Sequence, residues 1–365
     1  MQKVAILGAG NGGYAASADL ALKGYSVNLF ELPRFKENIE PVLERGGIEI
    51  TGDAGEGFGE LNTVTTNVEE AVKGVDVVLI MVPAFGHKPF AEACIPHLED
   101  GQAVILLGKG GGSLVFAKAM KDTGVDKGIL LGEGNTLPYT ARIQGPAKVK
   151  VSIAVHELFA AALPGKDNDE LAEILGVLYP STTILDNVLE TTLHDINAVL
   201  HPPPMILNAG RIEDPNSDFL IYKEGVTPAI VKVYNELDAE RLATMDALGL
   251  RKIPFADLYM RVGFGPKKDK LLDSINDCYG SGEIRAASNL QYRYLTEDVP
   301  FGLVTLASIG DLAGVPCPTM KSLIKLASVM NEVDYWKEGR TVQELGIADL
   351  EVNELIRFVS EGSRP

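Results

Sequence analysis

Gly8-Ala9-Gly10-Asn11-Gly12-Gly13 follows directly on the apolar run Val4 to Leu7 and sets three glycines at the spacing G-x-G-x-x-G. The chemistry of such a loop is pyrophosphate binding. Gly8 permits the tight turn, Gly10 lets the backbone approach the phosphates, and Gly13 lets the following helix pack closely on the strand. A helix starting there offers free N–H groups and roughly half a positive charge to an anion. Gly8, Gly10, Asn11, Gly12 and Gly13 are therefore expected to contact a dinucleotide. Glu31 ends the next apolar run 18 residues after Gly13, close to the ~20 at which an acid meets the adenosine ribose. Its carboxylate is expected to accept from both ribose hydroxyls and to repel a 2′-phosphate, which favours NAD over NADP. Arg34 is the nearby cation that would favour NADP, and it also reads as a solvated surface residue.

A nicotinamide cofactor implies hydride transfer, and hydride transfer to a carbonyl or imine carbon needs a proton partner. Histidine suits that near neutral pH. Of the five histidines, His97 and His156 sit inside predicted elements near apolar residues, and His87 follows the run Val77 to Val82. His194, Asn197 and His201 are spaced i, i+3, i+7, which predicts one face of a single helix over Leu189 to Leu200, turned toward an interdomain cleft. His201 precedes Pro202-Pro203-Pro204, so the helix should break or kink there and leave that side chain reachable.

These residues need a scaffold. Short β-branched runs at Val4 to Leu7, Val27 to Phe30, Val77 to Val82, Val104 to Leu107 and Ile129 to Leu131 alternate with helical patterns, as buried parallel strands do. Gly24 reads as a helix C-cap, Pro33 as a first helical position and Asn67 as an N-cap. Lys148 to Val155 alternates with period two, Asp169 to Leu178 reads as a helix and Thr182 to Leu185 as a short strand. Beyond Asn187 only helical periodicity remains, over Pro228 to Leu248, Met320 to Asn331 and Leu350 to Val359. The expected class is α/β: a doubly wound, mainly parallel Rossmann domain over 1–187 and an all-α domain over 188–365. Ligands in such sheets sit beyond the carboxyl ends of the strands, so Pro83-Ala84-Phe85 and Gly108-Lys109-Gly110 are expected to wall the nicotinamide, Pro83 among the cofactor contacts.

Composition narrows the partners. With 46% hydrophobic and 23% charged residues, the 365-residue chain can build two cores. Its formal charge of −17 leaves no broad cationic face for nucleic acid or anionic lipid, so small-molecule substrates are expected and anions must be held by local cations. Three scattered cysteines, Cys94, Cys278 and Cys317, form no metal-ligand pattern and suit a reducing compartment. No leader-like segment or apolar run of membrane-spanning length is seen, so a cytoplasmic enzyme is expected, with a homodimer as the assembly to test.

Asn197-Ala198-Val199-Leu200-His201-Pro202-x-Pro204, then Arg293-Tyr294-x-x-Glu297-Asp298-Val299-x-x-Gly302-Leu303-Val304, then Lys337-Glu338-Gly339-Arg340-Thr341 together resemble the opine dehydrogenases. The likeness spans nearly the whole chain and is nearest the bacterial enzymes that make N-(1-carboxyalkyl) amino acids. The resemblance implies condensation of a 2-oxo acid with the amino group of an amino acid, and reduction of the imine by NADH. It also implies that His201 is the acid/base, Asp298 its partner and Arg293 the clamp on the oxo-acid carboxylate. Asn197 and Glu133 are the further substrate contacts expected. The chain departs from the family pattern at Gly108-Lys109-Gly110 and at Gly134-Asn135, both near the expected nicotinamide end. Two other readings stand beside this one. A dehydrogenase of the glycerol-3-phosphate or ketopantoate kind would use a lysine from the helical domain, yet none lies between Lys166 and Lys223. A non-catalytic NAD sensor would need no proton-transfer residue at all.

Overall fold

Continuous apolar runs become the centre of a sheet because both of their faces are covered. In the computed structural model, which describes residues 2–278 and 284–363, twelve strands form two sheets. They are β1 (Lys3–Leu7), β2 (Ser26–Phe30), β3 (Gly47–Gly52), β4 (Gly57–Glu60), β5 (Thr63–Thr65), β6 (Val77–Ile80), β7 (Ala103–Leu107), β8 (Leu130–Gly134), β9 (Tyr139–Gly145), β10 (Lys148–Ala154), β11 (Leu158–Ala162) and β12 (Thr182–Ile184). The larger sheet has the order β12-β11-β8-β7-β6-β1-β2-β5. Its run from β5 to β8 is parallel and doubly wound, with the strand order reversing between β1 and β6. Only β11 runs antiparallel to its neighbour β8, and β12 follows β11 in parallel. All five β-branched runs expected as strands are found.

The second sheet, β4-β3-β10-β9, packs on the helix Asn11–Leu22. That helix lies between two sheets, which explains its composition. Ala15, Ala16 and Ala18 are fully buried, and a Cβ added at Gly59 would come within 2.8 Å of the Ala18 backbone. Only small side chains let backbones approach so closely. Strand β10 shows the expected alternation of exposed and buried positions. The Asn67 cap accepts from Glu69 N–H at 3.1 Å, and Pro33 is the first residue of a helix, the 3-10 segment Pro33–Asn38.

Chain contacts divide the molecule into two units, Met1–Thr191 with Val359–Gly362, and Thr192–Phe358 with Ser363–Pro365. The first division falls four residues beyond the expected boundary, and the return of Val359–Gly362 to the N-terminal unit has no counterpart in the expected domains. The second unit is helical, with Leu220 and Arg285 forming an isolated bridge. Its long helix, Pro228–Ala247, packs against Ile196–Leu200, Pro202–Leu207, Val304–Leu312 and Pro318–Asn331. No helix among the described residues is long and apolar enough to cross a membrane.

The single helix expected over Leu189 to Leu200 is two. Val188–Leu193 stops, and Ile196–Leu200 restarts with Asp195 as its N-cap, the carboxylate accepting from Asn197 N–H at 3.0 Å and Ala198 N–H at 3.2 Å. An aspartate offers waiting N–H groups a better acceptor than the next carbonyl would, so the helix is interrupted. His194, Asn197 and His201 therefore do not share one continuous helical face.

Candidate active site

The carboxyl ends of β1 and β2 carry the fingerprint. Gly8 has φ +107°, and a Cβ there would lie 2.4 Å from a Val82 methyl. At Gly13 a Cβ would sit 1.7 Å from the Gly8 carbonyl oxygen, so helix and strand can touch only through glycine. Nothing lies within 4 Å of a Cβ built on Gly10, which opens to solvent. The first intrahelical bond runs from Tyr14 N–H to Gly10, and no side chain caps the turn before it. These orphan N–H groups, with no acid in the first turn, fit a pyrophosphate. The Asn11 side chain is turned to its own scaffold, its oxygen accepting from Ile143 N–H at 2.8 Å.

Glu31 is buried at the end of β2 and ties the fingerprint to its neighbours. Its carboxylate accepts from Ala9 N–H at 3.0 Å, Leu32 N–H at 2.8 Å and the Asn38 amide at 3.3 Å. After β6, Pro83 begins a 3-10 turn, Ala84–Gly86, that leaves the Phe85 ring 60% exposed at the sheet's carboxyl edge. Leu137, which no motif marks, lies 3.1 Å from a Cβ built on Gly12 and 3.5 Å from one on Gly108, so it packs between the fingerprint and the loop after β7.

In the helical unit His201 joins Ile196–Leu200 to Pro202–Leu207, the kink its three prolines demand. Its Nδ1 lies 2.7 Å from Asp298 Oδ2, across 97 residues of sequence, with Asp298 buried. An ionised carboxylate only accepts, so Nδ1 is the donor of this pair, and in the neutral ring that leaves the lone pair on Nε2. The Tyr294 ring stacks on the imidazole at 3.8 Å between centroids and 15° between planes, and Tyr222 lies at 6.4 Å. Asp298 is held from behind. Leu303 N–H donates to its carbonyl in a π-turn over Val299–Leu303, and Arg340 N–H donates to Pro300. Gly339 meets Pro300 so closely that a Cβ there would lie 2.6 Å from its carbonyl oxygen. Arg293, one turn before Asp298, pairs with buried Glu297 at 2.8 Å while its side chain stays 47% exposed. Partial burial disfavours its charge, but the carboxylates of Glu297 and Asp298 outweigh that and raise its pKa above the ordinary arginine value.

Residues 184–331 match the family described as NAD/NADP octopine/nopaline dehydrogenase, alpha-helical domain, and residues 4–151 match ketopantoate reductase PanE/ApbA. The opine dehydrogenase of Arthrobacter sp. (strain 1C) is 34% identical over 347 residues, covering 95% of each chain. The chain belongs to the opine dehydrogenase family. It is thus an NAD-dependent oxidoreductase acting on CH–NH bonds. Protein ocs of Agrobacterium tumefaciens (strain Ach5), at 28% identity over 99% of both chains, is a more distant relative. The fold agrees with a structure of octopine dehydrogenase in complex with NADH and agmatine, at TM-score 0.82 and 21% identity, over 100% of this chain and 99% of that one. A ketopantoate reductase from Ralstonia eutropha JMP134 matches less well, at TM-score 0.63 and 19% identity over 91% and 99%.

Within this opine dehydrogenase framework, the expected site residues fall into three groups. His201, Asp298 and Arg293 come together in the helical unit, with Tyr294 and Glu297, which the motif contains but to which no role was given, and Tyr222, which no motif marks, as neighbours. Asn197 is the one partly exposed residue of its helix. Glu133 departs from its expected role. It is fully buried, and its carboxylate accepts from Gly111 N–H at 3.0 Å, Ser113 N–H at 2.9 Å, the Ser113 hydroxyl at 2.7 Å and the Thr191 hydroxyl at 2.5 Å. A carboxylate with four donors at the start of the helix Gly112–Thr123 is a helix cap and leaves little acceptor capacity for substrate. His87 is likewise buried, its ring packed where Gly112 has no side chain.

Proposed function

We propose that this enzyme joins a 2-oxo acid to the amino group of an amino acid and reduces the resulting imine to a secondary amine, with His201 as acid/base and Asp298 as its partner. The observation that carries the residue roles is the 2.7 Å contact between an imidazole and a buried carboxylate, one turn from a half-exposed arginine. Gly8, Gly10, Gly12, Gly13, Glu31 and Pro83 would hold NADH, which supplies the hydride when bound. Asn11 would contribute its backbone N–H.

Condensation needs an amine free of its ammonium proton and a hydroxyl that leaves as water. His201 Nε2, bearing the lone pair, accepts the amine's proton and returns it to the departing hydroxyl. Asp298 keeps the ring in that tautomer and stabilises the imidazolium between the two transfers, help typically worth about 10²- to 10⁴-fold in rate. Arg293 keeps the donors that Glu297 does not use for the oxo-acid carboxylate. The partly exposed Asn197 orients the bound substrate. The reading extends to location. No disulfide joins Cys94, Cys278 and Cys317, all buried thiols, which accords with a reducing cytoplasm.

The test follows NADH consumption with an oxo acid, an amino acid, and both. Signal should require both, and His201→Ala should lose about 10²-fold or more in turnover while NADH affinity, read by its fluorescence, stays unchanged. Undiminished turnover in His201→Ala would falsify the assignment. Consumption with the oxo acid alone would instead mark a hydroxy-acid dehydrogenase.

A further inference from the structure

Three consecutive prolines do more than kink the chain at His201. In a continuous helix the carbonyls of Ala198, Val199 and Leu200 would accept from the N–H groups four residues later, and those positions are Pro202, Pro203 and Pro204, which have none. Of these three carbonyls, that of Leu200 belongs to the peptide plane leading into His201. Its donor comes from elsewhere. The Tyr234 hydroxyl, on the long helix Pro228–Ala247, donates to it at 2.9 Å. Tyr234 is completely buried, and burial raises its pKa well above the usual tyrosine value, so the hydroxyl keeps its proton at any working pH.

The same helix face repeats the device. Arg241 stands seven residues after Tyr234, two turns along, and its Nη1 donates at 2.9 Å to the carbonyl of Leu193, seven residues before Leu200. Equal spacing on both elements means that one helix face holds both ends of the segment running from the helix break to His201. Arg241 is anchored in turn by Asp238 and by the Ile253 carbonyl, both at 2.6 Å.

We infer that Tyr234 is a positioning residue for proton transfer, replacing the backbone donor that the prolines remove and so fixing the peptide plane from which the His201 ring projects. Asp298 then sets the ring's tautomer and Tyr294 its plane, while Tyr234 sets where its backbone starts. This rests on the acid/base role proposed for His201.

Tyr234→Phe removes one oxygen and keeps the ring. Turnover should fall about tenfold, as small misplacements of a reacting group do, with KM for both substrates and the Kd for NADH within about twofold of the parent. The downfield proton resonance of the His201 Nδ1–H should broaden or shift. Adding Pro204→Ala, which returns an N–H four residues after Leu200, should recover most of the lost turnover. A kcat within about twofold of the parent overturns the inference whatever happens to Tm, and so does a parallel loss of NADH affinity, which would mark general damage. No recovery in the double variant overturns it as well. His201→Ala run alongside separates the two claims. If it loses turnover while Tyr234→Phe does not, only the positioning role fails; if it keeps turnover, the acid/base reading has failed first.

Discussion

Arg293 and Glu297 show how one residue's task depends on its neighbour. A guanidinium that is 47% exposed has many rotamers, and its pairing with a carboxylate only 5% exposed selects among them. The cation is thus aimed and still able to meet an anion. Charge-assisted hydrogen bonds of this kind contribute about 1.5–3 kcal/mol each, so Arg293→Ala should raise the oxo-acid KM by about 10- to 100-fold. The KM of the amine partner should barely move. Initial rates at varied oxo acid and saturating amine measure this, and an unaltered oxo-acid KM would make Arg293 a surface residue paired to Glu297. Because the adjoining carboxylates raise its pKa, the arginine stays charged at every assay pH, and its contribution should not titrate.

Between residue and fold lie the short helices that deliver His201. Asp195 restarts the chain after the break at Leu193, accepting two N–H groups that the new helix leaves unsatisfied. Asp195→Ala should cost about 0.5–2 kcal/mol in denaturant unfolding and lower turnover, with NADH affinity unchanged. An unfolding midpoint equal to the parent's would show that the cap does not hold this segment. The same stretch marks the limit of sequence reading. Apolar periodicity over Leu189 to Leu200 predicts one helix, and Asp195 overrides it through a side-chain bond that periodicity does not register. The central strands are legible because β-branched runs buried on both faces have little else to become. Strands β3 and β4 are not, since Gly47, Gly52, Gly57 and Gly59 read as turns; they are glycines because the helix and neighbouring strands leave no room for a side chain. β11, Leu-Phe-Ala-Ala-Ala, has Phe159 as its one strand-favouring residue beside three alanines. Spacing reveals the fingerprint because its residues are local. The contact of His201 with Asp298 spans 97 residues, and only the family resemblance brought the two together beforehand.

Viewed whole, the molecule sets a problem for its own substrates. It carries 50 acidic against 33 basic side chains, a formal charge of −17, while a 2-oxo acid and NADH are anions. Two electrostatic effects of opposite sign therefore act on the oxo acid, at different ranges. The proposed clamp, Arg293, would attract it over a few ångströms, a distance salt screens poorly. The summed acidic surface repels it over the Debye length, about 30 Å at 0.01 M ionic strength and about 8 Å at 0.15 M. Raising salt across that interval removes most of the repulsion and little of the attraction. The apparent KM for the oxo acid should accordingly fall, by on the order of threefold, with kcat nearly constant. An Arg293→Ala variant should keep the same proportional salt dependence, since the effect belongs to the surface and not to the clamp. A KM that rises with salt in the parent and becomes flat in the variant would reverse the ranking, making the local cation the dominant field that the substrate meets.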